Sequence, residues 1–174
     1  MRKPFISPDE LRSAIIHALV RRLGDAGKIK IQKLVYFLQE AYELPLGCRF
    51  HMHRFGPYSE DIESNISNLK FMGYVNVQRD PDGYGFHLTP TSSAAAPNWN
   101  ALVASAEEQI SSVIEQLGSM DASQLELAAT IHFFRSSFAF NKGTVISSVR
   151  ARKPKFSKKL ISEAYENLAG LGLV

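Results

Sequence analysis

Cys48, His51 and His53 stand as C-x2-H-x-H, a spacing that can offer a thiolate and two imidazoles to zinc. If Phe50 to Phe55 is a strand, both histidines point to one face, with the cysteine close by. No fourth ligand follows, and histidines on an edge strand are ordinarily plain surface residues. No metal and no cofactor is therefore expected. A cysteine near a histidine is also the start of a nucleophile-base pair, but no third group is legible that would orient the base. The chain has no Walker loop, G-x-G-x-x-G, H-E-x-x-H or G-x-S-x-G, and Gly83-Tyr84-Gly85 reads as a turn. No residue is assigned a catalytic role, and the chain reads as non-enzymatic.

Two charged groups remain, and both suit binding. Glu60, Asp61 and Glu63 follow Tyr58 within a few residues, an acidic edge with an aromatic beside it that can meet a basic protein. Tyr58, Glu60, Asp61 and Glu63 are thus the candidate partner-binding residues. Tyr74, Tyr84 and Phe86 are further aromatics that can anchor such a contact, although Tyr74 and Phe86 are more simply explained by packing. The second group is basic. Arg150, Arg152, Lys153, Lys155, Lys158 and Lys159 lie close together, and Lys28, Lys30 and Lys33 form a smaller cluster upstream. Helix N-termini and clustered Lys/Arg both favour phosphate, so Arg152, Lys153, Lys155, Lys158 and Lys159 are the candidate nucleic-acid-binding residues of an alternative reading. The ordinary fate of such a run is a solvated face.

The elements that must position these residues begin with a helix from Ser59. Ser59 can cap it, Glu60 and Asp61 sit in its positively polarised first turn, and Ile62, Ile66, Leu69 and Phe71/Met72 recur at helical spacing. Its outward residues would be Glu60, Asp61, Glu63, Ser64, Asn65, Ser67 and Asn68. Gly73 ends it, Tyr74 to Val77 favours a strand, Asp82-Gly83 a reversal, and Phe86 to Thr89 a returning strand. Upstream, Ser7-Pro8-Asp9-Glu10 starts a helix ending near Gly24. A second helix, lined by Ile31, Leu34/Val35, Leu38 and Ala41/Tyr42, stops before Pro45. Gly56-Pro57 then turns a short strand into the third helix. Helix, helix, strand, helix and hairpin make a winged helix-turn-helix over residues 1–90. Carboxylates leading the third helix would repel phosphate, which argues against major-groove reading by this unit.

Residues 91–118 read as a linker followed by one amphipathic connecting helix, with Trp99, Leu102/Val103, Ala106, Ile110, Val113/Ile114 and Leu117 on one stripe. That stripe can close on the preceding domain or in a homodimer. Residues 119–174 read as a unit of three helices, capped by Asp121 and Ser157 at two of their starts. The segment Leu69-x-x-Met72-Gly73-Tyr74-Val75 is echoed by Leu168-x-x-Leu171-Gly172-Leu173-Val174, which makes the C-terminal unit a possible second, wingless helix-turn-helix. The fold class expected is mainly α, with a small hairpin wing and a C-terminal helical bundle.

The 174 residues, 45% hydrophobic, suffice for a real core. No apolar run spans a membrane, and the N-terminus reaches Pro8-Asp9-Glu10 before a signal-peptide core can form. One cysteine suits a reducing cytoplasm. Net charge is +3 but uneven: residues 1–58 carry ten Lys/Arg against five Asp/Glu, residues 59–138 three against ten, and residues 139–174 seven against two.

Ile31-Gln32-Lys33-Leu34-Val35-Tyr36-Phe37-Leu38-Gln39, then Phe55-Gly56-Pro57-Tyr58-Ser59 and Leu69…Gly73-Tyr74-Val75, resemble the signature of bacterial YwgA-like proteins. They resemble, more distantly, the Panacea domain of SocA-type antitoxins. Lys153-Pro154-Lys155-Phe156-Ser157 extends the YwgA-like resemblance towards the C-terminus. The SocA branch implies a toxin-neutralising or adaptor role through protein contact. The expected function is therefore a non-enzymatic binding module whose partner is a protein, such as a toxin or another basic protein. The alternative is a DNA-binding transcriptional regulator using the basic N- and C-terminal segments.

Overall fold

A computed structural model describes residues 7–83, 85–92 and 97–174. Tyr84 and the middle of the expected linker, residues 93–96, lie outside the described residues. The protein is mainly helical, with a small antiparallel sheet.

Local signals set most boundaries. Helix α1 (Pro8–Leu23) starts where Ser7 Oγ accepts from the Glu10 N–H at 3.1 Å. Strand β1 (Ala26–Gly27) and helix α2 (Lys28–Glu40) follow. A tiny hairpin, β2 (His51–His53) with β3 (Gly56–Tyr58), leads into helix α3 (Glu60–Phe71). The strand expected from Phe50 to Phe55 is thus confined to His51–His53, and Gly56–Tyr58 pairs back on it. Strands β4 (Val75–Arg79) and β5 (Phe86–Pro90) form the second hairpin, and β1 adds to its edge in the order β1-β5-β4. Ala26, buried opposite Leu88, holds that edge strand, which is too short to leave a period in the sequence.

The expected single helix from Trp99 to Leu117 is two. Helices α4 (Asn100–Ser105) and α5 (Glu107–Leu117) are separated at Ala106, where φ is −118° and ψ 13°. The break lets the two halves serve different partners. Trp99 lies edge-on to His17 and Tyr74, whereas α5 packs Ile110, Val113 and Leu117 inward, alongside α2. Helices α6 (Ala122–Phe138), α7 (Lys142–Arg152) and α8 (Lys158–Gly170) complete the chain. A capping box between Asp121 and Gln124 fixes the start of α6.

Helices α2 and α6 are the centre of the fold. Residues 31–38 of α2 and 125–132 of α6 are buried without a break, and the two helices touch. A helix enclosed on all sides needs no amphipathic stripe. Because α6 also lies on α2 and β3, the three segments expected from the sequence share one core.

The echoed Gly motifs are the same helix stop made twice. After α3, Gly73 donates to the Lys70 carbonyl and Tyr74 to that of Leu69; after α8, Gly172 donates to Ala169 and Leu173 to Leu168. Both glycines have φ near +74°. No described helix is long and apolar enough to cross a membrane.

Candidate functional site

Helix α3 is held at its start and in its middle by side chains that leave its outer face free. At its start, the Gln32 amide donates to the Ser59 carbonyl at 3.0 Å and accepts from the Ser59 N–H at 3.2 Å, clamping α3 to α2. In its middle, Asn65 is buried, although its sequence position reads as outward. Its Oδ1 accepts from Arg12 Nε at 2.9 Å, and its Nδ2 donates to Ser13 Oγ at 2.7 Å. Arg12 also donates to the Leu46 carbonyl at 2.7 Å, so one buried guanidinium ties α1, α3 and the chain before β2 together.

The four candidate partner residues have divided roles. Asp61 accepts from the Arg49 N–H at 3.0 Å and the Ser59 hydroxyl at 3.1 Å, and the Arg49 bond first of all holds its carboxyl below the usual range. Glu63 pairs with Lys28 at 2.5 Å. Both are committed inside the fold. Glu60 is exposed, 3.6 Å from His51 Nδ1. Tyr58 lies against the rings of His51 and His53, and burial, with the carboxylates of Glu63 and Glu60, raises its hydroxyl's pKa.

Phe71 and Met72, expected on the inner face, point outward. Phe71 is 89% exposed and Met72 57%. Leu69 already fills the inner position, and the Gly73 stop turns the chain before another residue can follow it. Glu60, Ser64, Ser67, Asn68 and Phe71 fall at helical intervals on one exposed stripe.

Two of the basic candidates, Lys153 and Lys155, converge on a carboxylate that the sequence reading missed. Glu126 on α6 is 3% exposed; Lys153 Nζ lies 2.9 Å from its Oε1 and Lys155 Nζ 2.7 Å from its Oε2. Lys153 is itself 5% exposed and donates to the Arg54 carbonyl. Lys33 reaches the same region, donating to the Pro57 carbonyl at 2.6 Å, and desolvation brings its pKa down to about 7. Gly56 makes the approach possible: its φ is +86°, and a Cβ there would meet Thr130 Oγ1 at 3.1 Å and the Glu126 carbonyl at 3.3 Å. Arg152, Lys158 and Lys159 are exposed, Lys159 being 3.8 Å from Glu163.

The chain is 26% identical to YwgA of Bacillus subtilis, titled an uncharacterized protein, over 161 residues, covering 88% of this chain and 93% of that protein. That coverage supports a YwgA-like family. A stretch of 134 residues, 75% of this chain, is 30% identical to a DNA ADP-ribosyl glycohydrolase of Thermus aquaticus, of which it covers 37%. No protein-family model matches the chain.

The YwgA-like signature segments turn out to be the parts that build this centre. Gln32 and Lys33 come from the first, and Gly56 and Pro57 from the second. The faint signal for Lys33 and Glu126 is a single charge inside a largely apolar run, Ile31–Leu38 and Leu125–Ile131. Such a charge must find a partner on burial. Cys48 is buried and its thiol is pushed up to about 12 by desolvation, the opposite of an activated nucleophile. Among the described residues no group of three metal-ligating side chains assembles.

Proposed function

We propose that this chain is a non-enzymatic binding module of antitoxin or adaptor type that captures a protein partner with the outward face of α3. The observation that carries this reading is Phe71, a large apolar side chain left almost wholly in water at the end of a firmly capped helix. Met72 beside it, also exposed, extends the apolar area, and at about 1.5 Å per residue Glu60 stands roughly 16 Å away along the same stripe. An aromatic anchor with a charged edge at that span is the composition of a protein-binding patch. Ser64, Ser67 and Asn68 between them are small enough to let a partner backbone approach.

The element order supports the finer reading of residues 1–90 as a winged helix-turn-helix. Strand β1 between the first two helices, the third helix before a hairpin, and the sheet order β1-β5-β4 all suit that topology. The β2–β3 hairpin is an insertion before its third helix. The distant likeness to SocA-type antitoxins implies the same mode of action.

A DNA-reading regulator draws less support. The exposed positions of α3 carry one cation, Lys70, and begin with Glu60, while Lys153 at the centre of the basic run is buried. Lys33, Cys48 and His132, three groups with displaced pKa, are buried within the fold and paired or packed there, which suits a structural role for them.

A photo-crosslinking residue in place of Phe71 tests the reading in cells. The expected result is a discrete adduct that disappears in the Glu60→Lys background. No adduct, or one indifferent to Glu60→Lys, would remove α3 as the capture surface.

A further inference from the structure

The β2–β3 hairpin and the turn between α7 and α8 enclose a cleft of about 380 Å³ whose charges do not balance. Arg54, Arg152, Lys153 and Lys155 line it with a single carboxylate, Glu126, so four cations face one anion and the net charge is +3. Lys33, just behind Gly56, adds a further amine to the same region. A structural clamp accounts for Lys153 and Glu126, which are both buried. It does not account for Lys155, whose side chain is half exposed and shares a carboxylate already paired. Nor does it account for Arg54 and Arg152, exposed at the rim with no carboxylate partner among the described residues. A solvated basic face would spread such charges apart to lower their repulsion. Here they are drawn to one concavity around a single carboxylate, where their mutual repulsion is relieved when an anion enters.

We propose that this cleft is an anion site that takes a phosphate group, held by Lys155 and the guanidiniums of Arg54 and Arg152, with Glu126 and Lys153 fixing Lys155 from behind. A dianion brings the lining close to neutrality, and guanidiniums match phosphate oxygens in pairs. The phosphate can belong to a small phosphate ester or to a nucleic-acid backbone. Phe55 at the cleft edge gives either source an aromatic surface. This site does not rest on the partner-binding reading of α3.

Calorimetric titration of the full chain with inorganic phosphate, a nucleoside monophosphate and a short single-stranded oligonucleotide, at one fixed sodium chloride concentration, tests it. Saturable one-to-one phosphate binding is expected, weakened roughly tenfold by Arg152→Gln or Lys155→Gln and unchanged by Lys159→Gln. Arg54→Gln, also exposed, gives the same loss and serves if Lys155→Gln fails to fold. Tighter binding of the monophosphate identifies a small ester as the source; tighter binding of the oligonucleotide, displaced by phosphate, identifies the backbone. No saturable binding by any probe, or an equal loss in Lys159→Gln, overturns the site.

Discussion

Lys153 Nζ and Glu126 Oε1 meet at 2.9 Å with both side chains almost completely buried, joining the α7–α8 turn to the central helix. Removing one partner of such a pair strands the other's charge in the interior, which typically costs 3–5 kcal/mol, or about that here. Glu126→Ala strands Lys153 and removes the counter-charge of Lys33 as well. It is therefore expected to lower unfolding free energy by about 4 kcal/mol in a denaturant titration. Lys155→Gln, with a half-exposed side chain, is expected to cost less than about 1 kcal/mol. Equal effects from the two would mean that the buried geometry is not the source of the stability.

Gly56 and Gly73 both adopt positive φ, +86° and +74°, yet they should not respond alike to substitution. Gly73→Ala meets open space and bears only the left-handed strain of an L-residue, about 1–2 kcal/mol. Gly56→Ala adds contacts at 3.1 Å to Thr130 Oγ1 and 3.3 Å to the Glu126 backbone carbonyl, which cannot rotate away. The melting temperature should fall clearly further for Gly56→Ala. Comparable falls would show that the hairpin can lift from α6 without penalty.

Most of the helices were legible because their start signals are local. Ser7, Ser59, Asp121 and Ser157 each accept a backbone N–H as their sequence positions imply. What escaped was set by distant chain. Asn65 reads as exposed by period, and only its partners on α1, Arg12, Ser13 and Asp9, make its burial favourable. Phe71 continues an apolar pattern, and only the turn at Gly73 shows that nothing covers it. The Lys33–Glu126–Lys153 centre unites three segments far apart in sequence, so no spacing rule within one segment can contain it. The break at Ala106 is invisible because the residue is apolar and buried whether or not the helix continues through it.

Two buried bases contribute to the pH dependence of stability in separate windows. His132 Nδ1 lies 2.8 Å from the Tyr36 hydroxyl, and burial lowers its pKa to about 4. Its folded pKa is below the ordinary 6.5, so the unfolded chain binds the proton more readily. Its contribution is complete above pH 6.5 and is lost as pH falls towards 4. Lys33, lowered from 10.5 to about 7 chiefly by desolvation, acts with the same sign in a higher window: its contribution grows between pH 7 and 10.5. It is read between pH 7 and 9, because above pH 9 the raised thiol of Cys48 acts in the opposite sense. Lys33→Met should abolish that alkaline rise, and His132→Gln should flatten the acid limb. Chemical denaturation at stepped pH measures both, and an alkaline rise persisting in Lys33→Met would assign it to another group.

Phe71 and Leu69 are two residues apart and should separate folding from function. Leu69 is 3% exposed in the core, and Leu69→Ala is expected to cost about 2–5 kcal/mol of stability. Phe71 touches mostly water, so Phe71→Ser should change unfolding free energy by no more than about 0.5 kcal/mol. If α3 is the capture surface, Phe71 is its anchor, and the same substitution should weaken the complex by about 2 kcal/mol or more, roughly thirtyfold. The measurements are a urea titration of each variant and the affinity of each folded variant for the crosslinked partner once isolated. A Phe71→Ser protein that unfolds early would show the ring to be covered within the chain. One that keeps both stability and full affinity would move the binding surface away from the end of α3.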